Sequence, residues 1–316
     1  MGVALRRSRT GLRGIGLGLL LVTALASGAL ASAAADWTEP MVIRHELGET
    51  VLDERPERVV VFDFGSLDTL SRLGVEVVGL PKQLVPAYLA QYEDDRYANV
   101  GSLTEPALER VYALQPDLII ISGRQRDLYE EFRAIAPTIY VAVDTARYME
   151  SFEENVRLLA TIFGKEQEAE AELAKIRQAV DALRADVAAK GGRALVTLAN
   201  DGKVSAYGRG SRFGLIHDVF GFPPVDEGIV SSTHGQSISF EYILEKDPEY
   251  LFVIDRTAAI AGKSSAQAVV ENELVRMTRA YQNGHIVYLD PQIWYLAGGG
   301  LESVARMVEE VHAALK

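Results

Sequence analysis

Apolar residues in this chain follow two alternating rhythms. Short unbroken runs in "ERVVVFD", "PDLIIIS", "TIYVAVD", "RALVTLAND", "PEYLFVID" and "HIVYLD" read as strands, the first two buried. Between them stand segments at helical spacing: "SLDTLSRLG", "EPALERVYALQ", "DLYEEFRAIAP" and "MESFEENVRLLATIFG", the last closed by a glycine. "VEVVGLP" adds a strand, and "MVIRHELGETVLDERP" reads as a β-hairpin ahead of the first α/β unit. Strands alternating with helices imply a parallel sheet.

The rhythm breaks at "KEQEAEAELAKIRQAVDALRADVAAKGG", which holds strong helix formers and no Pro or Gly until its end. Some 25 residues at 1.5 Å each span roughly 38 Å, about the width of a small domain. Its place between two α/β segments makes it a connecting backbone. Beyond it the pattern restarts. "GKVSAYG" reads as a hairpin return, and helices are expected over "SRFGLIHDVFG" (Ser211 as cap), "SISFEYILEKD" and "GLESVARMVEEVHAALK". The fold class is therefore α/β: two Rossmann-like lobes with parallel-dominated sheets joined by one long α-helix. The expected divisions are an N-terminal lobe over 36–164, a connecting helix over 165–191 and a C-terminal lobe over 192–316.

The first residues have a different character. "MGVALRRSRTGLRG" carries four arginines and no acid, and "IGLGLLLVTALASGALASAAADW" follows as an apolar run ending in small residues. This is the pattern of a secretory signal peptide, expected over 1–35 and removed on export. The fully apolar part is short for a membrane span. The chain has no cysteine, so it carries no disulfide and no lipidated Cys of a bacterial lipoprotein. A soluble protein outside the cytoplasm is expected, in the periplasm of a Gram-negative cell. Removing the signal arginines takes the formal charge from −12 to −16, which argues against nucleic acid or an anionic membrane as partner.

Candidate chemistry comes from an internal repeat. In "ERVYALQPDLIIISGR" and "EYILEKDPEYLFVIDR" a glutamate (Glu109, Glu241) stands seven residues before a proline (Pro116, Pro248). An apolar strand follows, and an arginine (Arg124, Arg256) lies eight residues past the proline. Ligands bind at the carboxyl ends of strands in α/β sheets, so facing lobes would point both arginines into one cleft. Glu109 and Glu241 would then lie on the outer rim, one per lobe. Taken singly, each glutamate is equally explained by its place near a helix start. "LAGGGLES" lacks the Lys-Ser/Thr ending of a phosphate loop, and "RHELG" lacks the second His of a zinc-protease helix.

With "VVVFDFGSLDTLSRLGVE", "ISGRQ", "SRFGLIHDVFG", "HGQSISFEYI", "VIDR" and "YLDPQIWYLAGGGLES", the whole chain after the export signal resembles the periplasmic binding proteins of bacterial ABC importers for ferric siderophores. Among these it is most similar to the catecholate and petrobactin type. The resemblance implies that Arg124, Arg212 and Arg256 bind the anionic iron complex, a task suited to fixed, permanently charged donors. Arg212, at an expected helix start, is a cation where the macrodipole disfavours one. The resemblance also implies that His234 and Tyr295 complete the iron shell when a tetradentate siderophore leaves two positions open. By residue type alone His234 reads as a solvated loop residue and Tyr295 as packing beside Trp294, which would report binding by fluorescence. Glu109 and Glu241 would dock on the membrane permease. Arg209 has no counterpart in the resemblance: it adds charge to the cleft or closes the hairpin.

The chain is thus expected to be a non-enzymatic, monomeric carrier with no permanent cofactor, a ferric siderophore as ligand and a permease as partner. The alternatives are haem or cobalamin capture by the same fold, or an exported α/β enzyme acting on a catecholate. No G-x-S-x-G elbow appears.

Overall fold

The computed structural model describes residues 37, 39–263 and 266–316; the expected signal peptide and its cleavage point lie outside the described residues. A hairpin of β1 (Met41–His45) and β2 (Gly48–Leu52) leads into the first lobe. There β3 (Val59–Val61), α1 (Phe64–Arg72), β4 (Gly79–Leu80), β5 (Ala98–Asn99), α2 (Leu108–Ala113), β6 (Leu118–Ile121), α3 (Tyr129–Arg133), β7 (Thr138–Tyr140) and α4 (Tyr148–Phe163) follow. The five strands pair in parallel in the order β5-β4-β3-β6-β7. All four residues of β6 are buried, as an unbroken apolar run between two layers of cover requires. Gly164 takes the left-handed conformation (φ 64°) that ends α4.

The connecting helix α5 (Glu166–Lys190) is unbroken. It buries Ala169, Leu173, Ile176, Val180, Leu183 and Val187, at steps of four and three residues that form one stripe. Glu166 and Glu168 in its first turn and Lys190 in its last oppose the helix dipole favourably.

The second lobe holds β8 (Ala194–Asn200), β9 (Lys203–Tyr207), α6 (Leu215–Asp218), β10 (Gln236–Ile238), α7 (Phe240–Lys246), β11 (Tyr250–Asp255), α8 (Arg256–Ala261), α9 (Ala266–Val270), α10 (Arg279–Gln282) and β12 (Ile286–Leu289). Its sheet is mixed, in the order β10-β9-β8-β11-β12: β8, β11 and β12 run parallel, while β9 is antiparallel to both of its neighbours, β8 and β10. The final helix α11 (Leu301–Ala313) packs on α5 and also on α1. The segment before it crosses back with it, so Leu296 and Ala297 sit in the apolar core of the first lobe.

Three local expectations differ from what is seen. "SRFGLIHDVFG" is helical only over α6, a single turn. Ser211 does not cap it but donates to the Gly208 carbonyl, inside a loop so tight that a Cβ on Gly214 would lie 2.9 Å from Gly208 O and Gly210 N. "SISFEYILEKD" begins as the edge strand β10, and the helix starts only after Ser239, whose Oγ accepts the Tyr242 N–H at 3.3 Å. "VEVVGLP" contributes just the two residues of β4.

Candidate binding cleft

Tyr295 lies at the centre of the site, and its backbone explains why. It falls within a single π-helical turn, Gln292–Leu296, closed by Ala297. Carbonyls at the end of such a turn have no intrahelical donor. Two guanidinium groups supply the donors: Arg124 Nη2 at 2.8 Å and Arg212 Nη2 at 2.7 Å from the Tyr295 carbonyl oxygen. Arg256 Nε donates to the phenol oxygen at 2.8 Å, and the Arg212 guanidinium lies over the ring, 4.2 Å from its centre. The three arginines expected from opposite halves of the chain therefore meet on one residue.

Each arrives by a different route. Arg124 lies in the 3-10 turn Gly123–Leu128 that follows β6, fixed by a capping box in which Ser122 and Gln125 bond each other's backbone. Arg212 stands in the loop before α6 rather than at a helix start, so the dipole argument made for it does not apply. Arg256 is the residue that does begin a helix, α8, whose cap Asp255 accepts the Ala258 N–H at 2.9 Å.

Among the described residues none of the three has a carboxylate within 4.0 Å, whereas Arg72, Arg147, Arg157, Arg177, Arg209 and Arg279 are all paired. Burial, and next the charge of Arg212, lower the Arg124 pKa, with Asp63 and Tyr295 opposing. For Tyr295, burial pushes the phenol up, but the Arg256 hydrogen bond and the charges of Arg212 and Arg256 outweigh it. The net shift is downward. The cluster is a set of cations in want of an anion, around a phenol eased toward its charged form.

Arg124, Arg212 and Tyr295 border a cavity of about 1210 Å³, larger than most small-molecule sites, whereas Arg256, expected to point into the cleft, meets it only through Tyr295. Arg124, Arg212, Thr233, His234, Tyr295 and Met307 are among its lining residues, with Tyr140, Asp144, Ser151 and Asn155 extending it along the first lobe. His234 is exposed, in the loop before β10, and its N–H donates to Ser232 Oγ at 3.1 Å. Trp294 contributes to the wall but is only 3 % exposed, and its indole N–H is held by Glu310 at 2.7 Å. Thr145 Oγ1 donates to the Gly210 carbonyl at 2.9 Å, tying the lobes at one edge.

Three expected residues lie elsewhere. Arg209 turns away to Asp218 and Glu227, both at 3.2 Å, so it closes its own loop. Glu109 and Glu241 are exposed in the first turns of α2 and α7; hydrogen bonds from its own N–H and from Ser239 lower the Glu241 pKa. Sequence reasoning missed Asn200, whose Oδ1 accepts from Arg256 Nη1 at 2.9 Å. Its signal was its place at the carboxyl end of a strand beside β11. It also missed Asp68, which explains the glycine run. Asp68 is 1 % exposed and accepts the N–H groups of Glu302 and Ser303 at 2.8 and 2.7 Å, filling the N-terminus of α11. A Cβ on Gly300 would sit 2.3 Å from Asp68 Oδ2, so that position needs glycine. The loop thus resembles an anion cradle because it holds one, supplied by α1.

Two α/β lobes tied by a rigid helix, with unpaired cations at the cleft between them, define a bilobal ligand-capture protein. The chain belongs to the periplasmic binding protein family, which it matches over residues 59–293. It is similar to the petrobactin-binding protein YclQ of Bacillus subtilis, at 51 % identity over 88 % of this chain and 89 % of that one. Similarity also extends to the ferric-anguibactin-binding protein FatB of Vibrio anguillarum, at 34 % identity over 86 % of each. The crystal structure of YclQ gives a TM-score of 0.86 over 88 % of this chain and 99 % of that one. The siderophore-binding protein BauB, solved with two molecules of acinetobactin and ferric iron, gives 0.83 at 35 % identity, over 88 % and 99 % of the respective chains.

Proposed function

We propose that this protein captures an anionic ferric siderophore of catecholate type in the cleft and delivers it to the membrane permease of an ABC importer. One observation carries the reading: three arginines that have no carboxylate partner among the described residues converge on Tyr295, and two of them, Arg124 and Arg212, open directly on the cavity. Catecholate oxygens around ferric iron give the chelate a net negative charge, which guanidinium donors match. Tyr295 and His234 border the same space and would supply phenolate and imidazole donors to iron whose chelator leaves positions open. The relatives that bind petrobactin, anguibactin and acinetobactin support the reading.

In this reading the protein is a carrier rather than an enzyme. It holds no permanent cofactor, loses residues 1–35 on export, and acts as a soluble periplasmic monomer. Glu109 and Glu241, one per lobe, contact basic sites on the permease; exposed pairs are individually weak, but two at a distance set orientation. The test is a titration of purified protein with ferric complexes, followed by quenching of Trp294 fluorescence. Tight binding of anionic catecholate complexes, with weak binding of neutral hydroxamates, haem and cobalamin, is the expected result. Comparable affinity for a neutral ferric trihydroxamate would overturn the assignment.

A further inference from the structure

Strand register brings Asn200 and Arg256 together. β8 and β11 run parallel with Ala199 opposite Asp255, so the next residue of each strand leaves the sheet's carboxyl edge at the same level. Asn200 is held there by the two-residue turn Asp201–Gly202, whose φ values of 47° and 78° fit a tight hairpin. A guanidinium offers donors only, so the contacts run in one direction. The Asn200 side-chain oxygen holds Arg256 Nη1, and Arg256 Nε holds the phenol oxygen of Tyr295. Neither Asn200 nor Arg256 is among the residues lining the cavity, while Tyr295, Arg124 and Arg212 are. Arg256 therefore faces the ligand space through Tyr295.

We infer that Asn200 is a positioning residue of the binding site: by orienting Arg256, it fixes the Tyr295 phenol oxygen where a metal centre with open coordination positions can take it. The inference rests on the siderophore reading, in which the phenol oxygen serves iron chelates with four donor atoms rather than six. A hexadentate chelate already fills the iron shell and has no use for the phenol oxygen.

The experiment compares a ferric bis-catecholate (four donors) with a ferric tris-catecholate (six donors), by fluorescence quenching and by the visible phenolate-to-iron charge-transfer band. For Asn200→Ala, the loss of affinity for the bis-catecholate should exceed that for the tris-catecholate by about tenfold, near the worth of one hydrogen bond to a charged group, and the band should weaken. In a Tyr295→Phe background the same change should have no further effect. Asn200→Asp, which keeps an oxygen facing Arg256 but adds a negative charge, should retain the phenolate-to-iron band while weakening both chelates, the tris-catecholate more; it also provides a second readout should the alanine variant fold poorly. Equal losses for the two chelates, or additive losses in the double variant, would overturn the positioning role. Failure of wild-type protein to bind either chelate would instead sink the siderophore reading, so the two failures are distinct.

Discussion

Arg124→Gln separates what the ligand gains from what the empty protein bears. In the free protein Arg124 is half-buried beside Arg212, and both donate to the Tyr295 carbonyl at 2.8 and 2.7 Å. Their charges thus lie about 5 Å apart, a repulsion of about 3 kcal/mol at an effective dielectric near 20. Screening by water in the open cleft reduces this to about 1–2 kcal/mol. Glutamine ends two bonds short of the Nη2 position and loses this hydrogen bond, about 1 kcal/mol where the carbonyl still accepts from Arg212. The empty variant should therefore match the wild type or gain up to about 1 kcal/mol, a rise in Tm of about 0–3 °C. A trianionic chelate at similar distance loses three unit attractions, about 3–6 kcal/mol after the same screening, or about 10²–10⁴-fold in Kd. Thermal melts of ligand-free protein and fluorescence titrations with a ferric tris-catecholate test the two signs together. A variant that melts well below the wild type yet binds the chelate as tightly would refute the argument, because Arg124 would then be a structural residue.

Tyr295→Phe should weaken tetradentate ferric chelates far more than hexadentate ones in the same titration; equal losses would remove the phenol as an iron donor. Asp68 tests the α11 contact through pH. Burial raises its pKa from 3.8 to about 6, against the opposing backbone bonds of Glu302 and Ser303. The native state therefore takes up this proton before the unfolded state does, so the carboxyl adds stability as pH falls from about 6 to 4 and loses it as pH rises through 6. The full swing is about 3 kcal/mol. Urea unfolding at pH 7 and 4.5 should show Asp68→Asn lacking most of that swing; identical pH slopes for variant and wild type would count against the assignment. Glu109→Lys combined with Glu241→Lys should abolish ligand-dependent stimulation of permease ATPase in reconstituted vesicles while leaving the Kd for ferric catecholate unchanged. Undiminished stimulation would place docking elsewhere.

The strands and the long helix were legible because burial on both faces writes an unbroken apolar run, and because α5 contains no helix breaker. α6 and β10 were not, since their extent depends on packing around Gly208, Gly210 and Gly214 and on pairing with β9, neither of which is local. The repeated spacing of Glu, Pro and Arg marked Arg124 and Arg256 correctly as residues at strand ends, but made them look equivalent. They differ because β6 yields to a 3-10 turn fixed by Ser122 and Gln125, whereas β11 ends in Asp255, which starts a helix at Arg256 itself. Asn200 showed in the linear pattern only as the end of a strand, and Asp68 not at all. One acts across strand register, and the other meets a helix start 234 residues further along the chain.

The return of α11 to α1 limits how far the two halves of the molecule can move apart. Swinging one half of the molecule against the other would pull the Asp68 carboxylate from the N–H groups of Glu302 and Ser303 and from the Tyr88 hydroxyl. It would also strip Leu296 and Ala297 out of the opposite core. In the siderophore reading, a loaded and an empty protein would therefore differ little in outline, and the difference would lie at the edge where Thr145 meets Gly210.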